Sequence, residues 1–245
     1  MSDNLIAVES VKKYYGRNLI IEDISFKIHR GDICVFLGVN GCGKTTLLRI
    51  VCGLELPSGG TVKKSSICHS MSYISQRCAL LPWRTAFANI TVALEFAGVP
   101  KKEQKKRALH CLEIVGLASK RDHFPHQLSG GMRQKIALAR AIATEAKLIC
   151  MDEPFNSLDF CARADAQKKT LELCDHLGIA VVFVTHDIDE ALHMATKLYI
   201  LSSSPTTILE ELTINKEASE IEQLYCKGKI RKLFNISKVA AGELM

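Results

Sequence analysis

A glycine-rich octapeptide is the strongest chemical signal in the sequence. Residues 38–45 read GVNGCGKT and match the phosphate-loop pattern G-x-x-x-x-G-K-[ST] at every fixed position. Glycines let successive backbone N–H groups face one point, and the positive end of the following helix favours a polyphosphate there. Lys44 is expected to reach the β- and γ-phosphates, and the hydroxyl of Thr45 is expected to bind Mg²⁺.

Two acidic residues follow an apolar run later in the chain. Asp152 and Glu153 come directly after residues 148–151, which read LICM and are typical of a buried strand. Carboxylates at the tip of such a strand are costly unless a cation or a proton-transfer role satisfies them. Asp152 therefore fits a ligand of Mg²⁺, and Glu153 fits a general base that polarises an attacking water. The alternative is that both acids cap the turn before Pro154.

Gln76 and His186 also follow strand-like segments. His186 comes after the apolar residues 179–184, and Gln76 comes after residues 71–75. A single histidine is most often a packing or surface residue, but a T-H-D sequence at the carboxyl end of a strand favours contact with a γ-phosphate. Gln76 is an ordinary polar residue by itself, and only its position at the end of a predicted strand suggests a role in the site.

Hydrophobic patterning predicts the elements that hold these residues. Residues 7–15 and 20–28 have strand character and are separated by a turn at 16–18. Further strands are predicted at 32–37, 71–75, 147–151, 179–184 and 197–201, and helices at 45–52, 86–97, 101–115, 132–144, 163–177 and 188–195. Because ligands bind beyond the carboxyl ends of parallel strands, distant motifs are expected to meet at one edge of the sheet.

The same pattern divides the chain into lobes of one α/β domain, residues 1–245. Residues 77–146 have almost no strand signal and are interpreted as a helical lobe inserted into a nucleotide-binding core of residues 1–76 and 147–215. Residues 216–245 are expected to form a polar helical tail with a solvated basic cluster, Lys227, Lys229, Arg231 and Lys232.

The composition limits the classes of protein that fit. Hydrophobic residues make up 47% and charged residues 24% of the chain, and no apolar run approaches the roughly 18 residues that span a bilayer. The N-terminal sequence lacks the features of a signal peptide, so a cytoplasmic location is expected. The ten cysteines form no C-x-x-C pair, which favours free buried thiols over a metal site. The net charge of +6 suits an acidic surface but decides nothing alone.

The segment between the two nucleotide motifs makes the family resemblance specific. Residues 128–134 read LSGGMRQ and resemble the signature of the ATP-binding-cassette (ABC) ATPases. The other family motifs follow in the right order, namely an aromatic residue (Tyr15), Walker A (38–46), a Q-loop (Gln76), Walker B (148–153), an aspartate loop (Asp159) and a switch histidine (His186). The resemblance implies a P-loop fold with a mixed or parallel core sheet, an N-terminal antiparallel β subdomain and an inserted α-helical subdomain.

The resemblance also implies roles for single residues. In ABC ATPases, each ATP lies between the Walker A motif of one subunit and the signature of the other. Tyr15 is expected to stack on adenine, although Tyr14 is a competitor and both tyrosines could simply pack on a strand. The expected catalytic residues are Glu153, His186 and Gln76, and the expected Mg²⁺ ligands are Thr45, Gln76 and Asp152. The expected ATP contacts are Tyr15, Gly38, Asn40, Gly41, Cys42, Gly43, Lys44, Thr45, Thr46, Ser129, Gly130, Gly131 and Asp159.

Neighbouring segments resemble the ATPase subunits of nitrate, sulfonate and taurine importers. These segments read LLPWR (80–84), PHQ (125–127), DEPF (152–155) and THDIDEA (185–191). The chain departs from that subfamily at Asn156 and Ser157, since it reads FNSLD where the subfamily often has FGALD. Trp83 either takes part in docking a permease or anchors the core of the helical lobe.

We therefore expect an ATP-hydrolysing subunit that energises import of a small anionic or organic solute. The expected assembly is a homodimer bound to two transmembrane permease subunits on the cytoplasmic face of the inner membrane, served indirectly by an extracytoplasmic solute-binding protein, with no nucleic acid. The alternative is a soluble ABC protein acting on ribosomes or DNA. Family members that act in translation usually carry two cassettes in one chain, and DNA-repair members have a very long coiled coil before the signature. This sequence shows neither feature. An ATP-binding regulator without turnover is disfavoured by Glu153 and His186.

Overall fold

The computed structural model describes residues 4–68, 70–215 and 220–240 of the chain. These residues form two compact units. The first unit contains the described residues up to Cys68 and those from Ala180 onward, and the second contains the described residues between them.

The described residues form nine strands and seven α-helices, which alternate regularly from β6 to β8. The strands are β1 (Asn4–Tyr15), β2 (Asn18–His29), β3 (Ile33–Leu37), β4 (Gly59–Lys64), β5 (Met71–Ile74), β6 (Leu148–Asp152), β7 (Ala180–Thr185), β8 (Lys197–Leu201) and β9 (Ile208–Thr213). The α-helices are α1 (Lys44–Cys52), α2 (Ala86–Phe96), α3 (Lys101–Ile114), α4 (Gly130–Ala143), α5 (Phe160–Leu177), α6 (Ile188–Met194) and α7 (Glu220–Ala240). Two short 3-10 helices lie at Ala118–Lys120 and Pro125–Gln127.

The first unit contains an antiparallel sheet with the strand order β2-β1-β4. Tyr15 pairs with Asn18 at the end of the β1–β2 hairpin. Gly16 has a φ of +59°, which lets the chain reverse within a tight turn. The two N-terminal strands and the turn between them were predicted from the sequence, and so was the antiparallel N-terminal subdomain.

A second sheet of the first unit carries the buried parallel strands. β3 lies between β7 and β8 and pairs with both in parallel, while β9 pairs with β8 antiparallel. Phe36 of β3 stacks on Tyr199 of β8 with 4.8 Å between ring centroids, and Phe26 of β2 lies 4.9 Å from Phe36. These rings fill the space between the two sheets of this unit.

The second unit is mainly helical and extends beyond the residues 77–146 that the sequence analysis assigned to a helical lobe. β5 and β6 pair in parallel, and α4 packs against α2, α3 and α5. α4 and α5 begin earlier than predicted because Ser129 and Asp159 cap them: the Ser129 hydroxyl accepts from the Met132 N–H, and the Asp159 carboxylate accepts from the Ala162 N–H. Within the described residues, no helix combines the length and the apolar character that a membrane span needs.

The exposure of Trp83 and of two cysteines differs from what the sequence analysis allowed or expected. Trp83 is 71% exposed, so the alternative that it anchors the helical core is wrong. Most described cysteines are buried, as expected for free thiols, but Cys161 is exposed and Cys52 is partly exposed.

Candidate functional site

The phosphate loop of the first unit joins β3 to α1. Gly41 and Gly43 have φ values of +75° and +108°, a left-handed region that favours glycine. Gly43 is the N-cap of α1, and no side chain caps this helix start. The first N–H groups of α1 therefore have no capping side chain and suit an anion.

Neighbouring side chains press closely on two glycines of this loop. A Cβ atom at Gly38 would lie 2.8 Å from the Cys42 sulfur. A Cβ atom at Gly43 would lie 2.8 Å from Oγ1 of Thr206, and Thr206 is fully buried. A side chain at Gly38 would require Cys42 to shift, whereas Gly43 combines a positive φ with crowding by Thr206 and Ile20.

Lys44 follows the loop rather than projecting into solvent. Its side chain is buried, and its Nζ donates to the carbonyl oxygens of Gly38 at 3.0 Å and Val39 at 2.8 Å. Asn40 and Gly41 are exposed, Cys42 is buried, and Thr45 and Thr46 are partly exposed. The ammonium group thus lies beside the backbone that the sequence identified as the phosphate site.

His186 lies next to the entrance of the phosphate loop. The N–H of Gly38 donates to the carbonyl of Thr185 at 3.2 Å, so the end of β7 adjoins the start of the loop. The Asp187 carboxylate caps α6 by accepting from the N–H groups of Asp189 and Glu190. These bonds fix the residues on both sides of the exposed His186.

The two tyrosines at the end of β1 are exposed to a similar degree, 44% for Tyr14 and 46% for Tyr15. Tyr15 Oη donates to Glu55 at 2.6 Å, and Lys13 Nζ lies 2.8 Å from the same carboxylate and 5.2 Å from the centroid of the Tyr15 ring. The hydrogen bonds from Lys13 and Tyr15 lower the pKa of Glu55. Tyr15 is therefore held in place by its hydroxyl, whereas the choice between the two tyrosines stays a prediction.

The acidic pair lies in the second unit, at the end of β6. Asp152 accepts a hydrogen bond from Tyr73 Oη at 2.9 Å. Glu153 has a φ of +43°, which is uncommon for a residue with a side chain. Asn156 Nδ2 donates to Glu153 Oε2. Each of the two carboxylates is thus held by a neighbouring polar side chain.

The signature helix α4 holds the segment that follows Gln76. Cys78 and Ala79 have φ values of +60° and +40°. The guanidinium of Arg140 donates to their carbonyl oxygens at 3.0 and 2.9 Å. The Cys78 thiol donates to Gln134 at 2.8 Å, and burial raises the pKa of this thiol to about 11. Burial also lowers the pKa of Arg140.

The signature residues pack against the loop that leads to Asp159. A Cβ atom at Gly130 would lie 2.8 Å from Leu158, and a Cβ atom at Gly131 would lie 3.4 Å from the Cβ of Ala162. A cavity of about 410 Å³ opens beside this contact. Its lining residues are Gln76, Arg77, Cys78, Gly130, Arg133 and Ser157.

The predicted site residues thus form two groups, one in each unit. The phosphate loop, Tyr15 and His186 belong to the first unit, and the second unit contains Gln76, the acidic pair, the signature and Asp159. The sequence analysis did not single out three side chains that contact these residues or their loops, Tyr73, Arg140 and Thr206. No local motif marks them, because their contacts join segments that are distant in sequence.

Comparison with known proteins identifies the family. The family model for ABC transporters matches residues 21–156. The taurine import ATP-binding protein of Yersinia pestis bv. Antiqua is 38% identical over 222 residues, which cover 89% of this chain and 85% of that protein. The chain belongs to the ABC transporter family. This ABC protein is also 34% identical over 210 residues to the nitrate import ATP-binding protein of Synechocystis sp., covering 84% of this chain and 79% of that relative.

A solved structure agrees with the fold of this ABC protein. The ATP-binding cassette MJ0796, in a dimeric post-hydrolysis state bound to ADP and Pi, matches with a TM-score of 0.73 and 26% identity. The match covers 86% of this chain and 99% of that chain. The predicted α/β ABC fold and the predicted ATPase activity are confirmed.

Proposed function

We propose that this ABC protein binds ATP with Mg²⁺ between two copies of the chain and uses its hydrolysis to drive import of a small solute. The main support is the phosphate loop. Gly43 is the N-cap of α1 and leaves the helix start without a capping side chain, and the Lys44 side chain lies along the loop. The second support is the start of α4, where Ser129 is an exposed helix cap followed by two glycines. Together they supply the two half-sites of a head-to-tail dimer.

The groups that we expect to hold Mg²⁺ are of the kind this ion prefers. Thr45 of the first unit offers a hydroxyl, and Gln76 and Asp152 of the second unit offer an amide oxygen and a carboxylate. Tyr73 orients the Asp152 carboxylate through its hydrogen bond. When bound, Mg²⁺ would neutralise part of the charge that develops on the phosphate groups.

Hydrolysis then depends on side chains that orient the attacking water and accept its proton. Glu153 acts as the general base that polarises the attacking water. His186 contacts the γ-phosphate, and Gln76 contributes to the alignment of the water and the metal ion. Gly130 and Gly131 present backbone N–H groups at the start of α4 to the ATP of the partner subunit, and Asp159 shapes the same interface.

Coupling to a membrane permease is supported by the relatives and by the surface of the second unit. Several large apolar side chains of this unit are strongly exposed, among them Trp83 at 71%, Phe160 at 86% and Phe96 at 90%. We infer that Trp83 belongs to the surface that docks on the permease. We place the dimer on the cytoplasmic face of the membrane, peripherally bound to two permease subunits and served by an extracytoplasmic solute-binding protein. The cargo class is a sulfonate-like or nitrate-like solute.

Reconstitution tests this function. The ABC protein is expected to co-purify with its permease subunits and, in vesicles with the solute-binding protein, to hydrolyse ATP faster when taurine, an alkanesulfonate or nitrate is added. Trp83→Ala should weaken the co-purification. A chain that co-purifies with ribosomes or nucleic acid, and not with membrane subunits, would contradict the importer proposal.

A further inference from the structure

Asn156 is one of two residues at which the chain departs from its resemblance to nitrate, sulfonate and taurine importers. Those ATPases often have glycine at this position, and glycine has no side chain that could form a hydrogen bond. In this chain, the Asn156 amide donates from Nδ2 to Oε2 of Glu153. The departure therefore places a new donor on the residue proposed as general base.

The backbone between the two residues holds them in this relation. The N–H of Asn156 reaches the carbonyl of Glu153 at 3.4 Å, so the segment turns back on itself. Pro154 and Phe155 are buried within this turn. Leu158 is 7% exposed and contacts the start of α4 at Gly130. Asn156 consequently has little freedom to move away from the carboxylate.

The backbone of Glu153 also points to a side chain that is held in a particular direction. Its φ of +43° lies in the left-handed region, where non-glycine residues are uncommon and cluster at functional sites. A residue in this conformation directs its side chain differently from an ordinary strand residue. The amide of Asn156 then fixes the side chain further along, at the carboxylate oxygen.

A neutral amide has a defined chemical effect on a general base. It binds one carboxylate oxygen without neutralising the charge of the group. A carboxylate that is already held in one orientation loses less conformational entropy when the transition state forms. A basic side chain here would bind Glu153 as an ion pair, and an acidic one would repel it.

We propose that Asn156 is a positioning residue that holds the Glu153 carboxylate through Oε2 and so orients it for its work on the attacking water. This inference rests on the proposed role of Glu153 as general base. It predicts an effect on the chemical step and none on ATP binding, because Asn156 acts through Glu153.

Steady-state kinetics of the intact ATPase separate this role from a structural one. Asn156→Gly, which restores the residue often found in the resembling importers, is expected to lower kcat about tenfold with an unchanged KM for ATP and an unchanged Tm. Asn156→Asp has the same size but places a second negative charge beside Glu153, so its kcat should be lower still. Gln104→Ala is the matched control, since it removes an amide of the same unit that donates to the Val99 carbonyl at 2.8 Å, and it should keep the original kcat.

Parallel measurement of Glu153→Gln distinguishes the two proposals. If Glu153→Gln abolishes turnover and Asn156→Gly keeps the full kcat, the positioning role of Asn156 is wrong and the general base stands. A fall in kcat that is accompanied by a lower Tm and a higher KM would also overturn the positioning role. If Glu153→Gln itself turns over at nearly the original rate, the assignment of the general base fails.

Discussion

At the scale of single residues, Gly43 shows why the phosphate loop depends on glycine. Its φ of +108° is a backbone conformation that side chains disfavour, and Thr206 occupies the space where a Cβ would lie. Thr206 donates its N–H to the carbonyl of Ile20 and accepts from the N–H of Glu22, so it is fixed by two backbone hydrogen bonds. The backbone of Thr206 is therefore fixed and its side chain is fully buried, so an added side chain at Gly43 is expected to displace the loop.

Gly43→Ala is expected to raise the KM for ATP by about tenfold or more, because the shifted loop no longer directs its N–H groups at the phosphates. ATP titration and turnover measure this effect. Gly98→Ala is the control, since Gly98 also has a positive φ of +71° but has no atom within 4 Å of its virtual Cβ. A Gly43→Ala enzyme that binds ATP with its original affinity would show that crowding at Thr206 does not constrain the loop.

At the scale of elements, helix α4 has two roles in the second unit. Its first turn presents the signature residues, and its later turns hold the segment after Gln76 through Gln134 and Arg140. Cys78 and Ala79 adopt left-handed backbone conformations that cost free energy unless their surroundings hold them. We therefore expect a movement of the signature to reach the Gln76 segment through α4.

Arg140→Met keeps much of the apolar length of the side chain but removes both hydrogen bonds to the Cys78 and Ala79 carbonyls. We expect faster hydrogen exchange in residues 76–80 and a kcat about tenfold lower, with ATP affinity retained because the phosphate loop is unchanged. Arg107→Met serves as the control, since Arg107 forms ion pairs with Glu103 and Glu145 on the surface of the same unit. Unchanged exchange in both variants would remove the proposed link between α4 and Gln76.

The elements differed in how well the sequence predicted them. β3 and β7 were predicted because buried parallel strands are continuous apolar runs, and α1 was predicted because it follows the loop and ends at Gly53. β9 was missed because it is an edge strand with an exposed Leu209 and two adjacent glutamates, Glu210 and Glu211, which hide its alternation. The hydrogen bond from Asn156 to Glu153 was also unpredictable, since it depends on the turn that the backbone makes after β6.

At the scale of the whole molecule, the chain carries two different halves of a nucleotide site. The first unit holds the phosphate loop, and the second holds the capped and exposed start of the signature helix. The head-to-tail proposal requires that each ATP uses the phosphate loop of one subunit and the signature of its partner. A substitution of Lys44 should therefore impair the ATP site at its own phosphate loop, whereas a substitution of Ser129 should impair the ATP site at the phosphate loop of the partner subunit.

Mixed dimers with one defect in each subunit test this claim most directly. In a dimer of one Lys44→Ala subunit and one Ser129→Arg subunit, the head-to-tail arrangement combines both defects in one site and leaves the other intact. We predict that such dimers occlude about one ATP, whereas dimers of one doubly substituted and one unchanged subunit occlude none. The opposite result, with no ATP in the first mixture and one in the second, would show that each chain completes its own site and would contradict the account.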